Sequence, residues 1–438
     1  MALAQPEYGA GSANGSTTWT LGGLFTVAFL GVTAGVQMSD RGLQSILLSA
    51  IQDTFDVGDA TIGALQGLAG VLVGSAVAMP LARLADRISR KKVLLGLIAG
   101  WTCLMALSAL APDFPLFFVG RAASGVTEFA MIPIVYSMIP DIAPDRHRVT
   151  ANLSFAALMA AGASAGFYFG EPIVQTAQTV LPFTLEPWRK ALLLLSFAGV
   201  PLLAFGLLTR DPLRKITPLD QGGTYALGPF LRERWQAVGL FVGVAGSLMI
   251  AVQALNPLIA LALERRFNAD LGKVGQALGV VTLVTSIGCL PVAGMLDRAL
   301  RGHFGLAARP LIMGTGALCA VPCSALLIAV NSVDAALLVV ALFLFVTCTA
   351  NALVPTMLQD LTPATLRARS FAIWSFVVSV FCAIGPLAAG ALSDMLLGGR
   401  LLTAIAVTAI PALLLSTVCA ARTISTAQHS DRLFAAGS

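Results

Sequence analysis

The sequence predicts an all-α polytopic membrane protein with twelve transmembrane helices in two six-helix pseudo-repeats. Three observations predict it. Of 438 residues, 57% are hydrophobic and 11% are charged, against about 25% charged in an ordinary soluble domain. So few charges cannot cover the surface of a water-soluble protein of this size. The apolar residues also fall into twelve runs, each long enough for a hydrocarbon core of about 30 Å, which takes about 20 helical residues. Finally, one charged segment occurs twice. Pro80, Ala82, Asp86, Arg87 and Arg90 recur as Pro291, Ala293, Asp297, Arg298 and Arg301, at an offset of 211 residues. A second repeat agrees with the first. Met138, Asp141 and Pro144 match Met357, Asp360 and Pro363 at an offset of 219, each followed by Arg-x-Arg-x-x-Ala. Two matches at nearly one offset mark two similar halves whose loops differ in length.

In chain order, residues 1–18 are rich in Gly, Ser and Ala and lack a basic segment before the first apolar run, so a disordered cytoplasmic tail is expected rather than a signal peptide. Apolar runs follow at 21–51, 60–82, 93–111, 115–140, 150–175 and 188–209, giving an N-terminal bundle over 19–209. Residues 210–235 are polar and broken by Pro212, Pro218 and Pro229, and read as a linker between halves. The second bundle, 236–421, has runs at 236–262, 274–296, 310–330, 335–359, 370–395 and 401–421, before a polar tail at 422–438. On this plan 19 Lys and Arg lie in loops on one side and six on the other. The positive-inside rule then places both termini and the repeated basic loops in the cytoplasm, with the chain in the cell's inner membrane.

The remaining composition argues mainly by exclusion. Each of the seven cysteines lies in an apolar run, and no His joins Cys319 and Cys323, so packing is expected and no metal site. The three histidines lie in polar loops or the tail, which disfavours a histidine proton relay. No Ser/His/Asp set, metal-ligand spacing or phosphate-binding glycine loop supports an enzyme. The net charge of +5 follows from the basic loops and implies no nucleic-acid partner.

Asp86-Arg87 and Arg90-Lys91 resemble the loop signature of the major facilitator superfamily, Asp-Arg-x-Gly-Arg-Arg/Lys, with Ser89 where the signature has its glycine. Within the superfamily the chain looks like the Spinster branch. The features that carry this are Asp40-Arg41-Gly42, the run Ile51-Gln52-Asp53-Thr54-Phe55, and Arg121, Gly125 and Glu128 in an Arg-x-x-x-Gly-x-x-Glu pattern. Gly162, Gly166 and Gly170, Trp188-Arg189 and Arg210-Asp211-Pro212 add to it. The resemblance implies a monomeric secondary transporter working by alternating access in the lipid bilayer. It would use a proton gradient and no cofactor, and would move amphiphiles such as lysophospholipids or sphingoid phosphates. It also implies that Asp86, Arg87, Arg90, Asp297 and Arg298 gate the cytoplasmic side.

Ionisable groups inside a membrane segment cost about 2.5–3.5 kcal/mol each on insertion scales, so they are functional candidates. Asp40, Arg41, Arg121 and Glu128 stand out, all in the first half. Gln37 and Gln44 share a helical stripe with Asp40, while Arg121 and Glu128 lie two turns apart on one face. Asp40 and Glu128 are the candidate proton carriers, and the arginines their partners or the substrate's. A structural ion pair ordering the first and fourth helices is the plainer reading. In the second half Gln253, Asn256 and Asn351 are the strongly polar mid-helix residues, suited to substrate contact or to interhelical hydrogen bonds. One charged wall facing one apolar wall suits an amphipathic anion or zwitterion. A small organic or sugar acid taken up with protons, and a transport-inactive sensor, are the alternatives.

Overall fold

The computed structural model describes residues 21–77, 81, 89–143, 147–209, 227–362 and 367–435. Twelve spans follow in order. They are α1 (Leu21–Phe55), α2 (Asp59–Val77), α3 (Arg90–Ala109), α4 (Phe114–Ile142), α5 (Arg148–Tyr168, then Gly170–Val180), α6 (Pro187–Leu208), α7 (Trp235–Leu255), α8 (Leu271–Phe304), α9 (Ala308–Ala329), α10 (Val333–Leu361), α11 (Arg367–Met395) and α12 (Leu401–Ala435). A short helix, Leu227–Glu233, precedes α7, and another, Ile259–Phe267, follows it.

Local chemistry sets the ends and breaks. Ser89, Asp113, Asp270 and Ser332 cap α3, α4, α8 and α10 by accepting backbone N–H groups of the first turn. The two segments of α5 meet at a 65° bend. The cause is Pro172, whose ring clashes with the carbonyl four residues back, at Tyr168, where the first segment stops. Pro257 likewise follows the end of α7, since it has no backbone N–H to continue the helical ladder. Asn268, at φ +50°, closes the short helix after α7 in the left-handed conformation that Asn tolerates. Inside α2, Leu65–Val73 is a π-helix.

Within the first half α1 packs on α5, α3 on α4 and α6, and α4 on α2; within the second, α7 packs on α11 and α12, and α9 on α10 and α12. The halves meet where α5 lies on α8 and α2 on α11. The α5 glycines bring two helices into close approach. A Cβ on Gly162 would stand 2.0 Å from the Gly35 carbonyl oxygen, and one on Gly166 2.0 Å from that of Ser39, so α1 and α5 touch backbone to backbone.

Candidate functional site

Two ion pairs join α1 to α4 in the core of the first half. Asp40 is fully buried. The guanidinium of Arg121 meets it with Nη2 2.8 Å from Oδ2 and Nη1 3.2 Å from Oδ1. Arg121 also donates from Nη2 to Gln44 Oε1 at 2.8 Å and lies 2.8 Å from the Met105 sulfur of α3. Arg41, the next residue along α1, is turned about 100° from Asp40. It donates from Nε to Glu128 Oε2 at 3.1 Å and lies over the Phe129 ring at 4.8 Å. The Glu128 side chain is 4% exposed and that of Arg41 36%. Arg41 is thus the charged member of the group that reaches the seam between halves, where Cys382 of α11 lies close enough to feel its charge. Each buried carboxylate has one cationic partner, as a low-dielectric interior requires.

The sequence brought these residues together as a set but not as pairs. Seven-residue spacing places Arg121 and Glu128 on one face of α4; the 100° step between Asp40 and Arg41 then gives each α4 charge a different partner. Gln44 joins the group as expected. Gln37 is 1% exposed and neither of its amide atoms has a protein partner. Gln253 and Asn256 are half-buried and Asn351 is exposed.

At the end of the bundle where the termini lie, each half has its own brace. In the first, Arg90 Nη1 donates to Asp141 Oδ2 at 2.6 Å. In the second, Arg309 Nε donates to Asp297 Oδ1 at 3.1 Å, and its Nη1 donates to Asp360. Arg309 is the residue that sequence reasoning missed. The 211-residue repeat matched Arg90 to Arg301, but Arg301 is exposed, and the structure puts Arg309 in the equivalent place. The reason is loop length: α8 runs on to Phe304, and the turn Gly305–Ala307 separates it from α9. The 219-residue offset of Asp141 and Asp360, applied to Arg90, would have found it. Arg298 is exposed, and Asp86 and Arg87 lie outside the described residues.

At the opposite, distal end the halves are latched together, which the sequence reading did not anticipate. Asp59, 2% exposed, accepts from Arg265 Nη1 at 2.7 Å, Gln52 Nε2 at 3.1 Å and Ser393 Oγ at 2.6 Å. Asp394 accepts the backbone N–H groups of Asp59 and Ala60. Nearby, Ser49 Oγ donates to Glu264 Oε1 at 3.2 Å, and Ser45 Oγ to the Pro257 carbonyl at 2.8 Å. All of these bonds except that from Gln52 cross from one half to the other. The signal available in the sequence was a small one: an Asp just after Gly58, opposite the Arg265-Arg266 pair.

The family model of the Major Facilitator Superfamily matches residues 29–350 and 249–436. The chain belongs to this superfamily. It is therefore a multi-pass transporter and not an enzyme. Over 384 residues, 84% of each chain, it is 27% identical to an MFS-type efflux pump of Mycolicibacterium smegmatis. It is 29% identical over 198 residues to a probable sugar efflux transporter of Helicobacter pylori, matching 45% of this chain and 46% of that one. It is 27% identical over 157 residues to a triacylglyceride transporter of Mycobacteroides abscessus, matching 36% of this chain and 28% of that one. In fold, it matches a bacterial homologue of the human lysosomal transporter Spinster, in an inward-facing and unoccupied conformation. The TM-score is 0.78 at 18% identity, covering 94% of this chain and 98% of that one. The nucleoside transporter NupG matches with a TM-score of 0.68 at 12% identity, covering 93% and 99%. The fold similarity to the Spinster homologue agrees with the resemblance read from Asp40-Arg41 and the α4 motif.

Proposed function

We propose that this superfamily member is a proton-coupled secondary active transporter that works by alternating access and carries an amphipathic or lipid-like organic anion or zwitterion. The observation that carries the reading is the pair of buried carboxylates, Asp40 and Glu128, each held by one arginine, with Arg41 alone of the four half-exposed at the seam. A substrate anion that engages Arg41 draws it from Glu128. An uncompensated buried carboxylate is costly and is neutralised by a proton. Substrate and proton occupancy are thereby linked through one guanidinium.

The substrate class follows from the two walls. The first half presents the charges; α7 to α12 present apolar side chains with scattered Gln253, Asn256 and Asn351. A uniformly polar ligand would leave hydroxyls unpaired against the second wall, at about 1–3 kcal/mol each. An amphiphile sets its head toward Arg41 and Arg121 and its tail along the second half. The names of the relatives span sugars and triacylglycerides, so the choice rests on this argument. We place the protein in the inner membrane as a monomer, with both termini cytoplasmic, no cofactor, and Asp86, Arg87, Arg90, Asp297 and Arg298 on the cytoplasmic gate. Cysteines introduced at positions 185 and 333 then label from outside. Labelling of position 90 from outside would invert the assignment.

The test is flux and binding in proteoliposomes under an imposed pH gradient, over single-chain anionic amphiphiles of increasing tail length. Affinity rises by up to about 0.8 kcal/mol per added methylene and falls in Arg121→Ala. Short hydrophilic acids that bind as well as their long-chain analogues would reject the amphiphile and favour a sugar-acid substrate. Absence of flux for every ligand that binds would favour a sensor.

A further inference from the structure

Asp40 has no exposure at all, and both of its oxygens face Arg121. The half-exposed charge next to it on α1, Arg41, is itself paired with Glu128. A proton bound for Asp40 needs another way in, and the polar groups left over around it mark one. Gln37 lies three residues earlier on α1, about 4.5 Å along the axis toward the termini end, on the same stripe as Asp40 and Gln44. It is 1% exposed, yet Nε2 and Oε1 both lack a protein partner. Asp40 Oδ2, although close to Arg121, makes no aligned hydrogen bond, and Arg121 Nε makes none. On α3, Trp101 Nε1 is also buried without a partner, one turn from the Met105 that touches Arg121.

These orphaned atoms are mixed in kind. Gln37 Nε2, Arg121 Nε and Trp101 Nε1 are donors; Gln37 Oε1 is an acceptor, beside the ion-paired Asp40 Oδ2. The donors repel a metal cation and the acceptors an anion. Water, which gives and takes hydrogen bonds, satisfies both. The charged groups around the stripe are Asp40 and Arg41 of α1 and Arg121 and Glu128 of α4. Where α5 meets α1, at Gly35 with Gly162 and at Ser39 with Gly166, the contact is backbone on backbone and carries no titratable group.

We propose that Gln37 holds water beside Asp40, and that this water carries the proton between Asp40 and the termini end of the bundle without passing the Arg41–Glu128 pair. The proposal rests on the proton-coupling reading above. The step breaks one O–H bond at the Asp40 carboxyl and forms one at the water oxygen, while that water passes a proton of its own onward. Passing it onward breaks one O–H bond of that water and forms one on the next water toward the termini end, and Asp40 is left as the carboxylate. Gln37 acts as a positioning residue. The proton route to Asp40 then runs apart from the Arg41–Glu128 pair that the substrate engages.

The test uses full-length protein in liposomes, with a rapid pH jump followed by a pH-sensitive dye and by the infrared carboxyl stretch. Asp40→Asn identifies the Asp40 band. In Gln37→Met, which keeps length and removes both hydrogen-bonding atoms, proton uptake at Asp40 slows by about tenfold or more, while the pH midpoint and ligand binding hold. Gln37→Glu restores the rate. Wild-type protein, independent of any variant's folding, shows an O–H band that shifts in H₂¹⁸O and changes with protonation of Asp40. An unchanged rate in Gln37→Met, or no isotope-sensitive band in the wild type, overturns the water route. If proton uptake is unaltered in Asp40→Asn and in Glu128→Gln alike, it is the coupling reading itself that falls.

Discussion

The Asp394 carboxylate accepts the backbone N–H groups of Asp59, at 3.0 Å, and of Ala60, at 2.8 Å, so the last turn of α11 caps the first turn of α2 in the other half. An acid at a helix C-terminus faces an unfavourable dipole, and here the N-terminus of a second helix offsets it. The cap and the Asp59–Arg265 pair hold the distal end shut.

Weakening either should therefore open that end. Losing the cap in Asp394→Ala costs the closed state about 1 kcal/mol. Arg265→Ala leaves Asp59 buried and unpaired, and costs about 2–3 kcal/mol once the partial exposure of Arg265 is allowed for. Spin labels at positions 56 and 397 report it. Their distance distribution lengthens in both variants, and more in Arg265→Ala. Two unchanged distributions would remove the latch as a gate.

The same closure responds to pH through Glu264, which lies beyond the end of α7. Burial pushes its carboxyl up, as does neighbouring Asp53, while the Ser49 hydrogen bond and Arg265 pull it back. An acid whose ionisation is disfavoured in the latched form binds its proton more tightly there than in the open form. Closure is then favoured as pH falls, and the advantage is lost as pH rises through the raised carboxyl value. Glu264→Gln should flatten this dependence in a pH series on the same label pair. A slope equal to that of the wild type would place the pH response elsewhere.

Arg309 should matter where Arg301 does not. Removing the Arg309 side chain, 6% exposed, leaves Asp297 and Asp360 without their shared cation. About 2–4 kcal/mol of stability should go, seen as a lower Tm in detergent. Arg301→Ala, at an exposed position, should leave Tm within about a degree, since surface changes mostly stay within about 0.5 kcal/mol. Equal effects of the two would restore the pairing that the 211-residue repeat suggested.

Gly162 tests the α1–α5 contact. A methyl group there meets the Gly35 backbone, so Gly162→Ala must push two helices apart, at about 1–3 kcal/mol or more. Gly96, whose Cβ would meet nothing within 4 Å, is the control. Its alanine variant should match the wild type in Tm or exceed it.

Much of the fold is legible in the sequence because membrane helices answer to one strong constraint. Every backbone polar group must be satisfied within its own segment, so apolar length alone locates the spans. The charged residues of α1 and α4 are legible for a related reason: charge in hydrocarbon needs a purpose. Their pairing is not, since it depends on the rotation of α1 against α4, which no spacing encodes. The latch escaped for another reason. Asp59, Arg265 and Asp394 sit at span ends, where charge is ordinary, and their coming together across more than 300 residues is a property of closure. An acid at a helix end needs a partner, and Asp394 finds one in the first turn of α2, far away in the sequence.

The braces at the termini end bear on how the chain is made. Arg90 closes on Asp141 and Arg309 on Asp297 and Asp360, each within its own half. Among the described residues these ion pairs lie within one half each, so each bundle carries a means of setting its own helix ends. Two fragments divided between the halves and synthesised from separate messages would each keep the brace that sets its own helix ends.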